Sequence, residues 1–276
     1  MRCRRPSPYG STLKKASLWG AFFVSALVTA PLALAAAECP LLSGGQEVEV
    51  RQVVDGDTLR LVDGRSVRLI GVNAPELGKS GGTAQPYAEA ARRRLQALVE
   101  ASDERLRLVP GSEATDHYGR TLAHLYDRQG HNLEAQLIAE GLGYAVAIAP
   151  NTRLAACQAA AERQARKSRL GVWKQDPTQA STRIEEGGFA VVQGRLQEVE
   201  RNRGGLWLQF EGDLVVNVPE RFADAFDGVP LRQWIGRNVE ARGWISDRSR
   251  RKEAGRARWQ MTLSDPHMLG LRVESF

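Results

Sequence analysis

Between Gln46 and Leu69, apolar residues fall on alternate positions and the pattern is broken twice by an aspartate-glycine pair. Val48, Val50 and Val53 lead into Asp55-Gly56-Asp57; Leu59 and Leu61 lead into Asp63-Gly64; Val67 and Leu69 follow. Alternation of period two marks strands with one buried face, and Asp-Gly supplies the tight turns between neighbours. Three such strands in so short a stretch predict an antiparallel meander, the start of a small sheet that must curl or be covered to bury its apolar side. Ala84 to Ala101 then carries Ala88, Ala91, Leu95, Leu98 and Val99 at helical spacing, with Arg92, Arg93 and Arg94 mostly off that face. Two further strands are expected at Leu106 to Leu108 and Thr121 to Tyr126. Asn132 reads as the N-cap of a short helix that stops at Gly141, and a last helix is expected from about Arg153 to Arg169.

The chain has 276 residues, 42% hydrophobic and 25% charged, which excludes intrinsic disorder and leaves room for two domains. Its net charge of +6 invites a nucleic-acid partner until the charges are located. Arg2, Arg4, Arg5, Lys14 and Lys15 precede Ala37 with no acidic residue among them, so the remainder is nearly balanced. That leading stretch, basic to Lys15, apolar from Leu18 to Leu34 and ending in Ala35-Ala36-Ala37, has the layout of a secretory signal peptide over 1–37. Cleavage after Ala35 or after Ala37 fits equally, and an uncleaved anchor is the alternative. Export to an extracellular or periplasmic space is expected, with no stable membrane span once the signal is removed. Only Cys39 and Cys157 remain after such removal; an oxidising compartment favours one disulfide between them, two free thiols being the alternative.

Three polar islands carry chemistry: Asp55-Gly56-Asp57-Thr58, Arg68-Leu69-Ile70-Gly71-Val72-Asn73-Ala74-Pro75-Glu76, and Asp116-His117-Tyr118-Gly119-Arg120. Hydrolysis of an anionic ester needs positive charge where negative charge develops and a base to prepare water. Arginine suits the first task because its planar fork donates paired hydrogen bonds and stays ionised. Carboxylate and amide oxygens without cysteine or paired histidine favour a hard cation. With HNLEAQLIAEGL and RKSRLGVW following in order, the stretch from Gln46 to Trp173 resembles the staphylococcal nuclease-like family.

The resemblance implies a fold and a set of roles. The fold is mainly β with helices: a five-stranded barrel of oligonucleotide-binding type with three helices. The implied activity is hydrolysis of phosphodiester bonds in DNA, with the choice between DNA alone and DNA and RNA left open. Arg68 and Arg120 would grip the scissile phosphate, and Glu76 would act as general base. Asp57, Asn73 and the Ala74 backbone would hold Ca2+, with Mg2+ or Mn2+ also compatible. The sequence departs from the family twice: in the cation site Asn73 stands where aspartate is usual and Ala74 where threonine is usual, and Ala147 and Ala149 stand where two tyrosines flank the terminal nucleotide. Asparagine keeps an oxygen donor but loses a negative charge, which weakens a hard cation's hold. Tyr118 is a candidate stacking face for a base. The alternative, a non-catalytic binding module for nucleic acid or protein with a decayed metal site, rests on Asn73.

Beyond Trp173 the composition changes. Residues 174–188 lack periodicity and read as a linker, 38–45 form a short leading segment, and 189–276 return to short alternating strands, a second small β-barrel. From Arg242 to Arg258 seven basic residues stand against Asp247 and Glu253, flanked by Trp244 and Trp259. Arg248, Arg250, Arg251 and Lys252 are thus candidates for contact with a polynucleotide backbone, the alternative being a solvated hairpin with two core tryptophans.

Overall fold

The computed structural model describes residues 39–78, 82–249 and 257–272. The expected signal peptide and Arg250, Arg251 and Lys252 lie outside them. Strands β1 (Gln46–Val53), β2 (Thr58–Leu61) and β3 (Ser66–Leu69) form the meander read from the alternation, and β4 (Val72–Asn73) is a short extension. Helix α1 (Ala88–Glu100) follows, then β5 (Arg105–Thr115), β6 (Thr121–Tyr126), α2 (Leu133–Ala139), β7 (Tyr144–Ala145) and α3 (Ala155–Lys167). The sheet closes in the order β1-β2-β3-β6-β5, which removes every free edge. Inside it Leu59, Leu61, Val67, Leu69, Leu108 and Leu125 are fully buried. Asn132 caps α2 as expected, its side chain accepting from the Ala135 N–H at 2.9 Å. Helix α1 begins four residues later than Ala84, because Pro86 and Tyr87, the latter at φ 69°, hold the entering chain outside helical geometry. A disulfide joins Cys39 to Cys157 on α3.

The segment expected to be a linker is folded instead. β8 (Gln179–Ala180) pairs in parallel with Val192 and Gln193, Ser181 is buried and donates its hydroxyl to the Glu211 carbonyl at 2.6 Å, and Ile184 joins the core. Composition flagged its Pro, Ser and Thr, but its order comes from partners distant in sequence. Strands β9 (Gly188–Asn202), β10 (Gly205–Phe210) and β11 (Leu214–Pro219) follow, then the single turn α4 (Glu220–Ala223). β12 (Asn238–Asp247), β13 (Trp259–Thr262) and β14 (Leu269–Leu271) complete the chain. The order β12-β13-β11-β10-β9, with β9 also paired to β12, closes the second barrel, and β14 and β8 add to its sides.

The two barrels share a core. Val146, Ala147 and Ala155 of the first pack in one apolar cluster with Leu196, Phe210, Met261 and Met268 of the second. Beside it runs a buried chain of charge. Arg242 on β12 is bonded to Glu162 of α3 and, at 2.9 Å, to Glu240; Arg166 of α3 grips Glu240 through two bonds of 2.9 and 2.7 Å. Glu162 also accepts from the Ala145 N–H at 2.9 Å, and Arg166 lies 3.8 Å over the Trp173 ring. Burial alone would push Glu240 up, but the bonds and charges of Arg166 and Arg242 together hold it below the ordinary carboxylate value.

Candidate active site

The first turn of the meander builds the floor. Asp55 Oδ1 accepts from the Asp57 N–H at 3.0 Å, so Asp55 shapes the turn that aims Asp57. Gly56 is required by close approach: a Cβ there would meet the Ala74 and Ala91 Cβ atoms at 2.6 Å. The small Ala74 thus lets the turn and the loop after β4 come together. Asp57, 7% exposed, accepts from the Ala74 N–H at 2.7 Å and the Thr58 hydroxyl at 3.1 Å.

Arg68 locks this floor to the loop. It bridges to Asp57 Oδ2 at 3.1 Å and donates to Asn73 Oδ1 at 3.2 Å, to the Leu69 carbonyl at 2.7 Å and to the Val72 carbonyl at 2.8 Å. Arg68 does not pair with the strand-turn carboxylate Asp63, which is held by Arg65 at 2.7 Å. Burial pushes the Asp57 carboxyl up to about 6, the Arg68 charge opposing this and Asp55 reinforcing it.

Arg120 approaches by topology. β3 and β6 pair in parallel with Arg68 opposite Leu122, so Arg120, two residues earlier, falls on the Arg68 side of the sheet. Its Nε donates to Asp116 Oδ2 at 2.8 Å, and Asp116 Oδ1 accepts from the Arg120 and Tyr118 N–H groups. Among the described residues its terminal nitrogens have no hydrogen-bond partner. Asp116 therefore orients the guanidinium and leaves its fork open, which is what a phosphate-binding arginine needs. Tyr118 is 73% exposed, with its ring 5.4 Å from the Arg120 guanidinium and 3.8 Å from the His117 ring.

Glu76 is exposed on the loop after β4, which is pinned by the Glu76 N–H to Gln85 Oε1 at 2.8 Å and by the Gln85 N–H to the Glu76 carbonyl at 2.9 Å. It lines the same cleft as Asn73. Asp57, Arg68, Asn73 and Ala74 are thus joined by direct bonds; Arg120 lies one residue before β6, the strand paired with β3, Tyr118 stands beside Arg120, and Glu76 lies on the loop after β4.

The described residues of the basic stretch in the second barrel, Arg242, Arg248 and Arg258, do not form a comb of free cations. Arg242 is spent on Glu162 and Glu240 inside the barrel contact, Arg258 is held by Asp247 at 2.9 Å and lies 4.4 Å over Trp259, and Trp259 is core at 4% exposed. Arg248 is partly buried, its N–H bonded to the Arg258 carbonyl at 2.8 Å. Trp244 alone of the flanking pair is open, at 44%. The sequence carries no local signal for its neighbours: Phe189 meets both Trp244 and Tyr144, and these three rings come together only through pairings distant along the chain.

Arginines, a carboxylate base candidate and hard oxygen donors on a closed five-stranded barrel define a phosphodiester-handling class of site. Comparison with known proteins gives the family. Residues 66–175 match the family described as "Staphylococcal nuclease homologue". A thermonuclease of Staphylococcus intermedius is 35% identical over 133 residues, which span 47% of this chain and 77% of that protein. Endonuclease YncB of Bacillus subtilis is 32% identical over 130 residues, 46% of this chain and 61% of that protein. A prophage-derived endonuclease of the same organism, YokF, is 32% identical over 136 residues, 47% of this chain and 45% of its own length. The chain belongs to the staphylococcal nuclease family. The matched residues end before β8, so the second barrel lies outside the family match.

Proposed function

We propose that this protein is an exported nuclease that hydrolyses phosphodiester bonds of DNA and RNA with a divalent cation. The observation that carries the reading is the bonded set of Asp57, Arg68 and Asn73 with the open fork of Arg120 on the same side of the sheet. The donor set fits a hard cation. Asp57 is a buried carboxylate whose neighbours do not fully compensate its charge, and Asn73 Oδ1, which accepts from Arg68, is a neutral oxygen beside it; the Ala74 backbone N–H holds Asp57 in place. Among the described residues no group of three His, Cys, Asp or Glu side chains is placed to hold a metal ion by itself. With so few carboxylates, a cation at this site would draw its remaining ligands from water and from the substrate phosphate, the habit of Mg2+ as much as of Ca2+.

A divalent ion held beside Asp57 and Asn73 would supply positive charge to a bound phosphodiester. Arg120, oriented by Asp116, donates its terminal N–H groups to the scissile phosphate, and Arg68 keeps positive charge beside the ion's ligands. Both interactions strengthen as charge accumulates in the transition state. Glu76, outside the buried cluster, accepts the proton of the attacking water. Export rests on the layout of residues 1–37. Among the described residues no helix is long and apolar enough to cross a membrane.

Supercoiled plasmid incubated with the purified mature protein in Ca2+, Mg2+, Mn2+ or chelator tests the reading. Nicking with a divalent ion and none in chelator is expected. Intact plasmid under every condition, with nucleic acid still bound, would make the chain a binding module on a nuclease scaffold.

A further inference from the structure

The cleft that contains Glu76 and Asn73 continues onto the second barrel. Its volume is about 1090 Å³, above the usual size of a small-ligand pocket. Strand register makes the continuation continuous in structure. Asn73 stands opposite Tyr144 across the β4–β7 pair, the Tyr144 and Phe189 rings are 5.2 Å apart, and Phe189 is paired across β9 and β12 with Trp244, their rings 5.1 Å apart. Tyr87 faces the same cleft from the start of α1. Phe189 and Trp244 belong to the barrel outside the family match, so this arrangement is not supplied by the nuclease domain alone. The barrels are fixed together by the shared core and the Glu162, Arg242, Glu240 and Arg166 chain, which holds the aromatic row in register with the catalytic loop.

The charge of the cleft selects its ligand. Glu76, Asp176 and Glu186 line it, and no lysine or arginine does among the described residues. A phosphate backbone is therefore disfavoured there, while the neutral, flat face of a base is not. Paired bases hide those faces, so the ligand must be unpaired. Asp176 is already held by Arg272 and the Thr178 N–H, whereas Glu186 has no hydrogen-bond or ion-pair partner among the described residues. A free carboxylate accepts from base edges that carry N–H groups. Guanine presents two donors side by side, and thymine and uracil present one donor between two acceptors that repel a carboxylate.

We propose that the cleft between the barrels is a base-binding subsite for single-stranded substrate beside the cleaved bond, with Trp244 and Phe189 as stacking faces and Glu186 as an acceptor favouring guanine. The proposal rests on the nuclease reading for its substrate class, and its test does not need cleavage. In chelator, binding of a fluorescein-labelled thymine hexamer, and of the same hexamer with one guanine, is followed by fluorescence anisotropy. The guanine-bearing strand is expected to bind about tenfold more tightly. Glu186→Gln should erase that difference, and Trp244→Ala should weaken both strands about tenfold with an unchanged circular dichroism spectrum. Wild-type affinity in Trp244→Ala, no binding of either strand by wild type, or capture of a labelled arginine-rich peptide in their place overturns the proposal. Cleavage of plasmid with a divalent ion but no role for Trp244 in binding removes the subsite and leaves the nuclease. The expected binding pattern with no cleavage under any metal does the reverse.

Discussion

Asp57 concentrates the energetic tension of the site. Its carboxyl is raised from 3.8 to about 6 by burial, so the fold binds a proton there more tightly than the unfolded chain does. A raised group contributes stability that is full below the ordinary carboxylate range and is lost as pH rises through about 6. In chelator the protein is therefore expected to lose on the order of 1 kcal/mol between pH 5 and pH 7.5, seen as a melting temperature lower by a few degrees. Asp57→Asn should flatten that slope; an unchanged slope would place the tension elsewhere. Asn73 bears on the same balance. Asn73→Asp restores a second negative charge beside Asp57 while keeping an acceptor for Arg68, so half-maximal cleavage should need several-fold less divalent ion. Arg120→Ala should lower cleavage about 100-fold with little change in melting temperature, because that side chain is 31% exposed and its bond to Asp116 is local.

The elements show which parts of the molecule sequence alone can reach. The strands of the first barrel are legible because each buries one face and alternation records it, and Asn132 is legible because capping is local. Arg242 is not: in sequence it belongs to a basic run, and only the pairing of β12 with β9 and the approach of α3 turn it inward onto Glu162. The same holds for 174–188, whose order depends on Val192 and Glu211. Asp57, Arg68 and Asn73 could be named from their islands, yet the bonds among them required the β3 register and the loop after β4. The buried ion chain has testable consequences. Arg242→Ala leaves Glu162, 4% exposed, with only the more distant Arg166 Nε at 3.4 Å and is expected to cost roughly 3 kcal/mol in urea unfolding, whereas Arg201→Ala, in an exposed cluster with Glu220, should cost under about 1. Glu240 is held below its ordinary value of 4.5, so its contribution is present above that pH and is lost as pH falls through the lower folded value. Glu240→Gln should remove part of the acid-induced fall in melting temperature below about pH 4.5.

At the scale of the whole molecule, the two barrels behave as a single construction rather than a catalytic unit with an appendage. Deleting residues from Phe189 onward would expose Val146, Ala147 and Ala155 and leave Glu162 and Arg166 without their partners on β12, so the shortened protein is expected to melt well below the full chain. The Cys39–Cys157 disulfide closes a loop with a separation of 118 residues, worth roughly 4–5 kcal/mol in the chain-entropy account, and reduction should shift urea unfolding accordingly. In the proposed nuclease, this doubly closed scaffold carries Glu76 on the loop after β4 as the base for phosphodiester hydrolysis. The most direct measurement compares wild type with Glu76→Gln on a single-stranded DNA substrate at saturating divalent ion, with melting temperatures taken in parallel. Cleavage lower by about 100-fold or more at an unchanged melting temperature is the predicted result. Equal rates in the two proteins would contradict it.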